Sequence, residues 1–196
     1  TSPYPRDFTP DTIAAMAEVP QVCPSLHLPV QSASNSQLEG MQRGYSIEEY
    51  EDLVNRLRSA IAELALTPDI IVGFCGESER DFEATYELME RTQYDSAFMF
   101  KYSERSGTAA HRSLEDDVPE AVKGERLQKI IALQESISRR KNEAVIGKTV
   151  EVLVQGPSKR RSSDAGGNQR LFGRCEQGKT VIFAGPAQTN SLRRVL

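Results

Sequence analysis

The chain has 196 residues and a formal net charge of −4, a size that favours one globular domain with a small second unit. Such a charge excludes a general polyanion binder, so any contact with nucleic acid must come from a local basic patch. The 3 cysteines lie far apart, which predicts neither a disulfide framework nor a metal site, and no apolar run reaches the roughly 20 residues of a membrane span.

The first predicted elements are a short helix and a short strand. Thr9 as N-cap and Pro10 at the first helical position start a helix that ends near Glu18. Residues 26–30 predict the strand, and residues 31–35 form a small polar loop at its C-terminal end. That loop is the first candidate for a binding site.

The next helix and strand carry clearer signals. Ser46 and Glu49 predict a capping box in front of a helix with one apolar face. Residues 70–74 then form an apolar run without alternation, which is typical of a strand covered on both faces in a parallel sheet. Ser78 and Asp81 predict a second capping box for the helix that follows.

The same order of elements repeats once more. A helix carrying Phe82 and Met89 precedes a strand at residues 97–102, and Asp117 with Glu120 predicts the cap of a last long helix. Alternating strands and helices indicate a parallel sheet with right-handed crossovers. The pattern fits either part of a barrel or part of an open sheet.

From Ile146 onwards the pattern changes to short β segments, among them residues 171–174 and 180–183. No helical periodicity interrupts them. We therefore predict an α/β unit at residues 1–143 and a small all-β unit at residues 144–196.

Three polar segments follow the three predicted strands of the α/β unit. Gln31 and Ser32 follow the first strand, a glycine turn follows the second, and Tyr102 and Arg105 follow the third. A glycine turn alone is weak support, since strand-to-helix turns use glycine for ordinary geometry. Three polar loops at one end of a parallel sheet are stronger support for a ligand site, because ligands bind at that end.

Other candidate residues have simpler alternatives. Arg43 can grip a carboxylate or phosphate as a bidentate fork, or it can be a solvated arginine. Lys159, Arg160 and Arg161 form a compact basic run that can follow a phosphate backbone, although charge runs are more often merely solvated. His27 is more typical of a hydrogen-bonded core or rim histidine than of a metal ligand.

Four stretches carry a resemblance to a known family. They read HLPVQSASN at residues 27–35, MQRGY at 41–45, DIIVGFCGE at 69–77 and YSERSGT at 102–108. In order and spacing they resemble the radical S-adenosylmethionine methylthiotransferases of the MiaB type. The resemblance covers the whole chain and joins several motifs, so it is more specific than any single glycine turn.

The resemblance implies a protein in three parts. These are an N-terminal domain with one 4Fe-4S cluster, a (βα)6 radical barrel with a second, and a C-terminal TRAM domain that binds tRNA. The implied fold class of this chain is α/β: the C-terminal half of a (βα)6 partial TIM-type barrel, followed by a small all-β, OB-like TRAM barrel that could lack its last strand. The family's CxxxCxxC motif is absent, and Cys23, Cys75 and Cys175 are too far apart to replace it.

The resemblance also implies an activity. The family uses S-adenosylmethionine and two 4Fe-4S clusters to insert sulfur and a methyl group at C2 of N6-isopentenyl-adenosine next to the anticodon. The implied partner is the anticodon stem-loop of tRNA. This chain alone is expected to be inactive, with no catalytic residue and no cluster ligand of its own.

Roles for individual residues follow from the resemblance as expectations. The cofactor would contact the side chains of Gln31, Ser32 and Arg43 and the backbone of Val72, Gly73 and Phe74; Tyr102 and Arg105 would face the substrate; Lys159, Arg160 and Arg161 would contact tRNA.

Two alternatives stay open. One is an RNA-binding module on an α/β scaffold, and the other is a sister methylthiotransferase that acts on threonylcarbamoyl-adenosine or on a ribosomal protein. The resemblance implies a cytoplasmic protein, or a mitochondrial one in a eukaryote. The start at Thr1 predicts a piece of a longer protein, whose strand at residues 26–30 would offer an open edge for self-association.

Overall fold

The fold is an α/β unit followed by a small antiparallel sheet. The computed structural model describes residues 3–158 and 170–196, and within these ranges no helix combines the length and hydropathy needed to cross a membrane. The helices are α1 (Pro10–Glu18), α2 (Asn35–Gly40), α3 (Ile47–Ala60), α4 (Glu79–Thr92), α5 (Ala109–Ser113) and α6 (Glu120–Glu143). The strands are β1 (Ser25–His27), β2 (Ala65–Thr67), β3 (Asp69–Val72), β4 (Phe98–Lys101), β5 (Val150–Pro157), β6 (Leu171–Cys175), β7 (Thr180–Phe183) and β8 (Leu192–Val195).

Parallel pairing brings the ends of the first strands together. β1 pairs with β2, and β3 pairs with β4, both in parallel. Only Pro68 separates β2 from β3, and an isolated parallel bridge joins Gln31 to Ile70. The predicted alternation of parallel strands and helices is therefore confirmed, and the residues after β1, β3 and β4 lie at one edge.

The first strand is shorter than predicted. β1 ends three residues early, where Pro29 has no N–H to donate to a ladder. Tyrosine hydroxyls donate hydrogen bonds to backbone carbonyl groups of this segment. Tyr50 donates to Leu28 at 3.0 Å, and Tyr45 donates to Val30 at 3.2 Å. The segment is held by side chains of α3 and of the residue that precedes the N-cap of α3.

β3, the second strand predicted from the sequence, is covered on one face only. The prediction that both of its faces are covered was therefore wrong. Ile70 and Val72 are fully buried, whereas Ile71 is partly exposed. On the neighbouring strand Phe98 and Phe100 are 54% and 52% exposed. The face that carries Ile71 borders a cavity instead of a packed layer.

Helix caps were predicted with one error. Thr9, Ser46 and Ser78 are N-caps as expected, the last two with complete capping boxes. The predicted cap of α6 by Asp117 and Glu120 was wrong, because its N-cap is Pro119. The Asp117 carboxylate instead accepts a hydrogen bond from the backbone N–H of Gly76, which follows β3. A local sequence pattern does not reveal this contact.

The C-terminal sheet has the strand order β7-β6-β5-β8 and is antiparallel throughout. β8 was not predicted; it pairs with β5. Val152 and Val154 of β5 are fully buried and Leu153 is exposed, which is the alternation of a sheet with one covered face. These valines form a core with Phe183 that is separate from the larger core of the α/β unit.

Candidate functional site

A cavity of about 430 Å³ lies at the C-terminal ends of β3 and β4. This volume is within the range of small-molecule sites, which is roughly 300 to 1,000 Å³. The residues that line it include Gln31, Asp69, Ile71, Phe100, Tyr102 and Arg105. Three predicted residues from two loops, Gln31 after β1 and Tyr102 and Arg105 after β4, therefore meet at one cavity.

The cavity combines apolar and polar surfaces. Ile71 and Phe100 are register partners on adjacent strands, so their side chains lie on the same face. Asp69 precedes Ile71 by two residues and lies on that face as well, with Gln31 beside it. A flat apolar ring can lie against the surface that Ile71 and Phe100 form together, and hydroxyl or amino groups can bind the carboxylate and the amide.

Gln31 is held in an unusual conformation. Its φ is 72°, in the left-handed region that non-glycine residues rarely adopt. Two backbone hydrogen bonds fix it, from Gln31 N to Asp69 O and from Ile71 N to Gln31 O, both 2.9 Å long. The strand therefore determines the position of this side chain, which is only 6% exposed.

Ser32 does not line the cavity. Its hydroxyl is fully buried, 3.4 Å from the hydroxyl of Thr85 in α4, and it accepts a hydrogen bond from the backbone N–H of Ser34. In this position it joins the loop after β1 to α4. Its predicted contact with a cofactor stays a prediction.

The glycine turn behind β3 is tightly enclosed. Gly73 has a φ of +71°, and a Cβ atom there would lie 2.3 Å from Cγ of Lys123. Val72 is fully buried and its carbonyl accepts the backbone N–H of Tyr102 at 2.8 Å. Phe74 is 5% exposed and meets the Tyr102 ring edge-on, with 4.9 Å between ring centroids. These three residues lie directly behind the tyrosine that lines the cavity.

A buried carboxylate closes this turn. The Glu77 side chain is fully buried; its Oε2 accepts the backbone N–H of Gly73 at 2.6 Å and lies 2.8 Å from Nη1 of Arg126. Burial raises the pKa of Glu77, and the hydrogen bond from Gly73 and the charge of Arg126 act against that rise. Because its oxygen is used in the turn, Glu77 is a structural carboxylate.

Tyr102 keeps its proton at neutral pH. Burial, together with its hydrogen bond to Cys75, raises the pKa of Tyr102 to about 12. The hydroxyl is therefore a neutral hydrogen-bonding group at the rim of the cavity, beside the positive charge of Arg105.

Arg43 does not line the cavity, and the predicted basic run is not among the described residues. Arg43 is partly buried in a separate depression with Glu39 and Glu49, and its Nε has no hydrogen-bond partner in residues 3–158 and 170–196. Its predicted contact with a carboxylate stays a prediction. Lys159, Arg160 and Arg161 lie outside the described residues.

Metal ligands do not gather in the described part of the chain, where no three His, Cys, Asp or Glu side chains are placed to hold one ion. Cys23 is exposed, Cys75 is partly buried and Cys175 is buried in the C-terminal sheet. These thiols do not fit an iron–sulfur cluster, which needs several closely placed cysteines. His27 lies at the rim of the sheet with its Nε2 3.4 Å from Asp69, as expected for a rim histidine.

Sequence reasoning missed Asp69, Lys123 and Arg126. The signal for Asp69 was its spacing of two residues from Ile71 on one strand, which places both side chains on one face. Lys123 and Arg126 gave no local signal, because they lie on α6, about 50 residues away from the turn that they contact.

Comparison with known proteins gives consistent matches. Residues 1–89 match the family model for the radical SAM superfamily. The tRNA-2-methylthio-N(6)-dimethylallyladenosine synthase of Porphyromonas gingivalis is 51% identical over 93% of this chain and 38% of that protein. The synthase of the same name from Mycolicibacterium vanbaalenii is 46% identical over 98% of this chain and 37% of its own length. The chain thus spans well under half of the length of these two relatives.

A solved structure supports the fold. Coproporphyrinogen III oxidase (HemN) from Escherichia coli, described as a radical SAM enzyme, superposes with a TM-score of 0.57 at 15% sequence identity. The match covers 88% of this chain and 45% of that chain. The predicted fold class, an α/β half-barrel followed by a small β unit, is confirmed.

Proposed function

We propose that the chain belongs to the radical SAM superfamily and forms the C-terminal part of an enzyme that transfers a methylthio group to tRNA. The identity of 51% over 93% of the chain carries this proposal, because it extends over both the α/β unit and the C-terminal sheet. The names of the relatives give the proposed product, a 2-methylthio group on N6-dimethylallyladenosine.

S-adenosylmethionine is the proposed ligand of the cavity. Ile71 and Phe100 offer apolar surfaces to an adenine ring, and Asp69 and Gln31 offer acceptors and a donor for ribose hydroxyls. When bound beside a reduced cluster, this cofactor supplies the radical chemistry and the methyl group. The residues of the chain bind and orient it and exclude water.

The substrate side of the cavity is proposed to be formed by Tyr102 and Arg105. The neutral hydroxyl of Tyr102 can bind a polar edge of the base, and Arg105 can pair with a phosphate. Lys159, Arg160 and Arg161 are proposed to contact phosphates of the anticodon stem-loop, which positions the RNA without reading its sequence. A tRNA substrate also supports a cytoplasmic location, or a mitochondrial one in a eukaryote.

The 4Fe-4S clusters are proposed to be held by residues outside this chain. The three cysteines lie in different parts of the fold, so they do not fit a cluster. The chain by itself is therefore expected to cleave no S-adenosylmethionine.

The test compares the complete enzyme with this chain. Each is incubated anaerobically with S-adenosylmethionine, dithionite and tRNA that carries N6-dimethylallyladenosine, and 5′-deoxyadenosine and modified nucleosides are measured by mass spectrometry. We expect both products from the complete enzyme and neither from the chain. A methylthio group on threonylcarbamoyl-adenosine would instead assign the sister activity, and no modified nucleoside at all would refute the proposal.

A second experiment tests the RNA contact. Replacing Lys159, Arg160 and Arg161 with serine in the complete enzyme should weaken tRNA binding and reduce its dependence on salt, because fewer counterions are released. Arg56→Ser on α3, which removes a cation paired with Asp52, is the control and should change neither. Equal affinity and salt slope for the triple variant and the wild type would exclude the basic run from the interface.

We also propose that the isolated chain self-associates through β1. Within the described ranges β1 pairs with β2 and with no second strand, so its other edge can accept a further strand. Light scattering across a range of concentrations should give a mass that rises with concentration. A monomer at all concentrations would count against this interface.

A further inference from the structure

Lys123 in α6 is a buried cation. The residue is 2% exposed, and its Nζ lies 2.6 Å from Oδ2 of Asp116 in the loop before the helix. Removing an ammonium group from water is costly unless a partner compensates it. The side chain of its partner Asp116 is 29% exposed, so the pair is only partly buried, and such a pair seldom stabilises a fold more than an apolar residue in place of the lysine would. The ammonium of Lys123 therefore has a role other than stabilising the fold.

The aliphatic part of Lys123 packs against the glycine turn. A Cβ atom on Gly73 would lie 2.3 Å from Cγ and 3.1 Å from Cβ of Lys123, so the lysine fills the space that a side chain at residue 73 would need. The turn and the lysine therefore fix each other. A methionine would make much of the same contact without the charge.

The charged end of Lys123 lies over the ring of Tyr102, a residue that lines the cavity. Its Nζ lies 5.2 Å from the centroid of the Tyr102 ring, within the range of a cation–π interaction. Tyr102 lines the cavity, and Phe74 packs against it edge-on. One side chain thus holds the turn behind β3 with its stem and the aromatic residue after β4 with its charge.

We propose that Lys123 is a positioning residue for the cavity: its ammonium, anchored by Asp116, orients the Tyr102 ring while its stem fixes the turn at Gly73. The effect on catalysis rests on the proposed function, whereas the effect on Tyr102 does not. Methionine keeps the stem and loses the ammonium, and arginine keeps both, so these two substitutions separate packing from charge.

The first test observes the tyrosine itself, in this chain. The protein is labelled with 3-fluorotyrosine, and the ¹⁹F signal of Tyr102 is assigned by its loss in Tyr102→Phe. We expect Lys123→Met to shift or broaden that signal, Lys123→Arg to restore it, and both variants to keep a Tm close to that of the wild type. An unchanged Tyr102 signal in Lys123→Met would overturn the proposal.

The second test measures catalysis in the complete enzyme that the proposed function requires. Lys123→Met should lower kcat/KM for S-adenosylmethionine by about tenfold, because a misplaced cavity wall weakens productive binding, and Lys123→Arg should recover most of it. Lys129→Met is the matched control, since Lys129 lies on the same helix with a side chain that is 47% exposed. It should leave kcat/KM unchanged.

The outcomes distinguish this inference from the proposed function. A wild-type enzyme without tRNA methylthiolation refutes the function and leaves the ¹⁹F result to decide the positioning role. An active wild type with an equally active Lys123→Met variant refutes the role of Lys123. Equal losses of activity in Lys123→Met and Lys123→Arg, together with a large fall in Tm, would also refute it, because they would indicate packing alone.

Discussion

Arg126 in α6 and Glu77 behind β3 form a buried ion pair in which Nη1 lies 2.8 Å from Oε2. The arginine also donates to the Glu77 carbonyl at 3.0 Å, and the carboxylate accepts the backbone N–H of Gly73. The last helix of the α/β unit therefore fixes the turn at the end of a strand that precedes it by about 50 residues. Phe74 of this turn packs against Tyr102, which lines the cavity, so the surroundings of this tyrosine depend on that helix.

Removing the arginine should destabilise the fold strongly. Arg126→Leu leaves the Glu77 carboxylate buried without a compensating charge, and we expect a loss of about 3–5 kcal/mol in the free energy of unfolding. Urea denaturation followed by circular dichroism measures it. Glu79→Gln is the control: this second partner of Arg126 is 58% exposed, and its loss should cost about 1 kcal/mol or less. Similar losses for the two variants would contradict a dominant role of the buried pair.

Alanine substitutions at two glycines should differ in their cost. Gly73 and Gly76 both have a φ of +71°, so Gly→Ala introduces similar backbone strain at each, about 1–2 kcal/mol. At Gly73 the new methyl group would also overlap Lys123, whereas nothing lies within 4 Å at Gly76. We expect Gly73→Ala to cost at least about 1 kcal/mol more than Gly76→Ala in urea denaturation. Equal costs would show that Lys123 moves away freely.

Removing the buried hydroxyl of Tyr50 should cost more stability than removing that of Tyr94. Tyr50 donates to the Leu28 carbonyl at 3.0 Å and accepts from the Tyr94 hydroxyl at 3.2 Å. Tyr50→Phe leaves the Leu28 carbonyl without its donor and the Tyr94 hydroxyl without its acceptor, and it should cost about 1–3 kcal/mol. Tyr94→Phe removes the donor to Tyr50 and the hydrogen bond with Thr92, but it leaves no buried carbonyl without its partner, so it should cost about 1 kcal/mol. Thermal unfolding of the two variants measures the difference, and a larger loss for Tyr94→Phe would contradict the assigned direction of these bonds.

The contribution of Asp81 should depend on pH. Burial acts to raise its pKa, but hydrogen bonds from Ser34, Ser78 and Ser36 outweigh burial and lower the pKa below 3.8. An acid with a lowered folded-state pKa stabilises the fold above its unfolded-state value, and this contribution is lost as the pH falls towards the folded-state value.

Asp81→Asn should therefore be less stable than the wild type at about pH 7, and the difference should shrink as the pH falls below about 3.8. Urea denaturation at a series of pH values measures this difference. Ser34→Ala removes the donor 2.5 Å from Oδ1 and should reproduce part of the effect. A difference that stays constant down to about pH 3 would contradict the lowered pKa.

Local signals in the sequence were reliable where both partners are near neighbours. The caps at Ser46 and Ser78 each involve a residue three positions ahead, so a short pattern contains the whole interaction. The cap assigned to Asp117 failed for the opposite reason. Its carboxylate bonds the N–H of Gly76, 41 residues earlier, and no local pattern records that contact.

The candidate site was predicted in part. Gln31, Tyr102 and Arg105 were placed at one end of the sheet because parallel strands end at the same edge, and the cavity brings them together. Arg43 was assigned a cofactor contact through the family resemblance; it lies in a separate depression near the start of α3, and that contact stays a prediction. The direction in which a loop turns after its strand depends on packing, and spacing along the chain does not determine it.

The sequence by itself determined the alternation of strands and helices in the α/β unit, the helix caps at Thr9, Ser46 and Ser78 and, through its motifs, the radical SAM resemblance. These features depend on periodicity and on residues a few positions apart. Only the tertiary structure decided that Lys123 and Arg126 enclose the turn from Gly73 to Glu77, and that Asp69 joins Gln31 at the cavity. These contacts join residues tens of positions apart, and they form only when α6 and the sheet pack together.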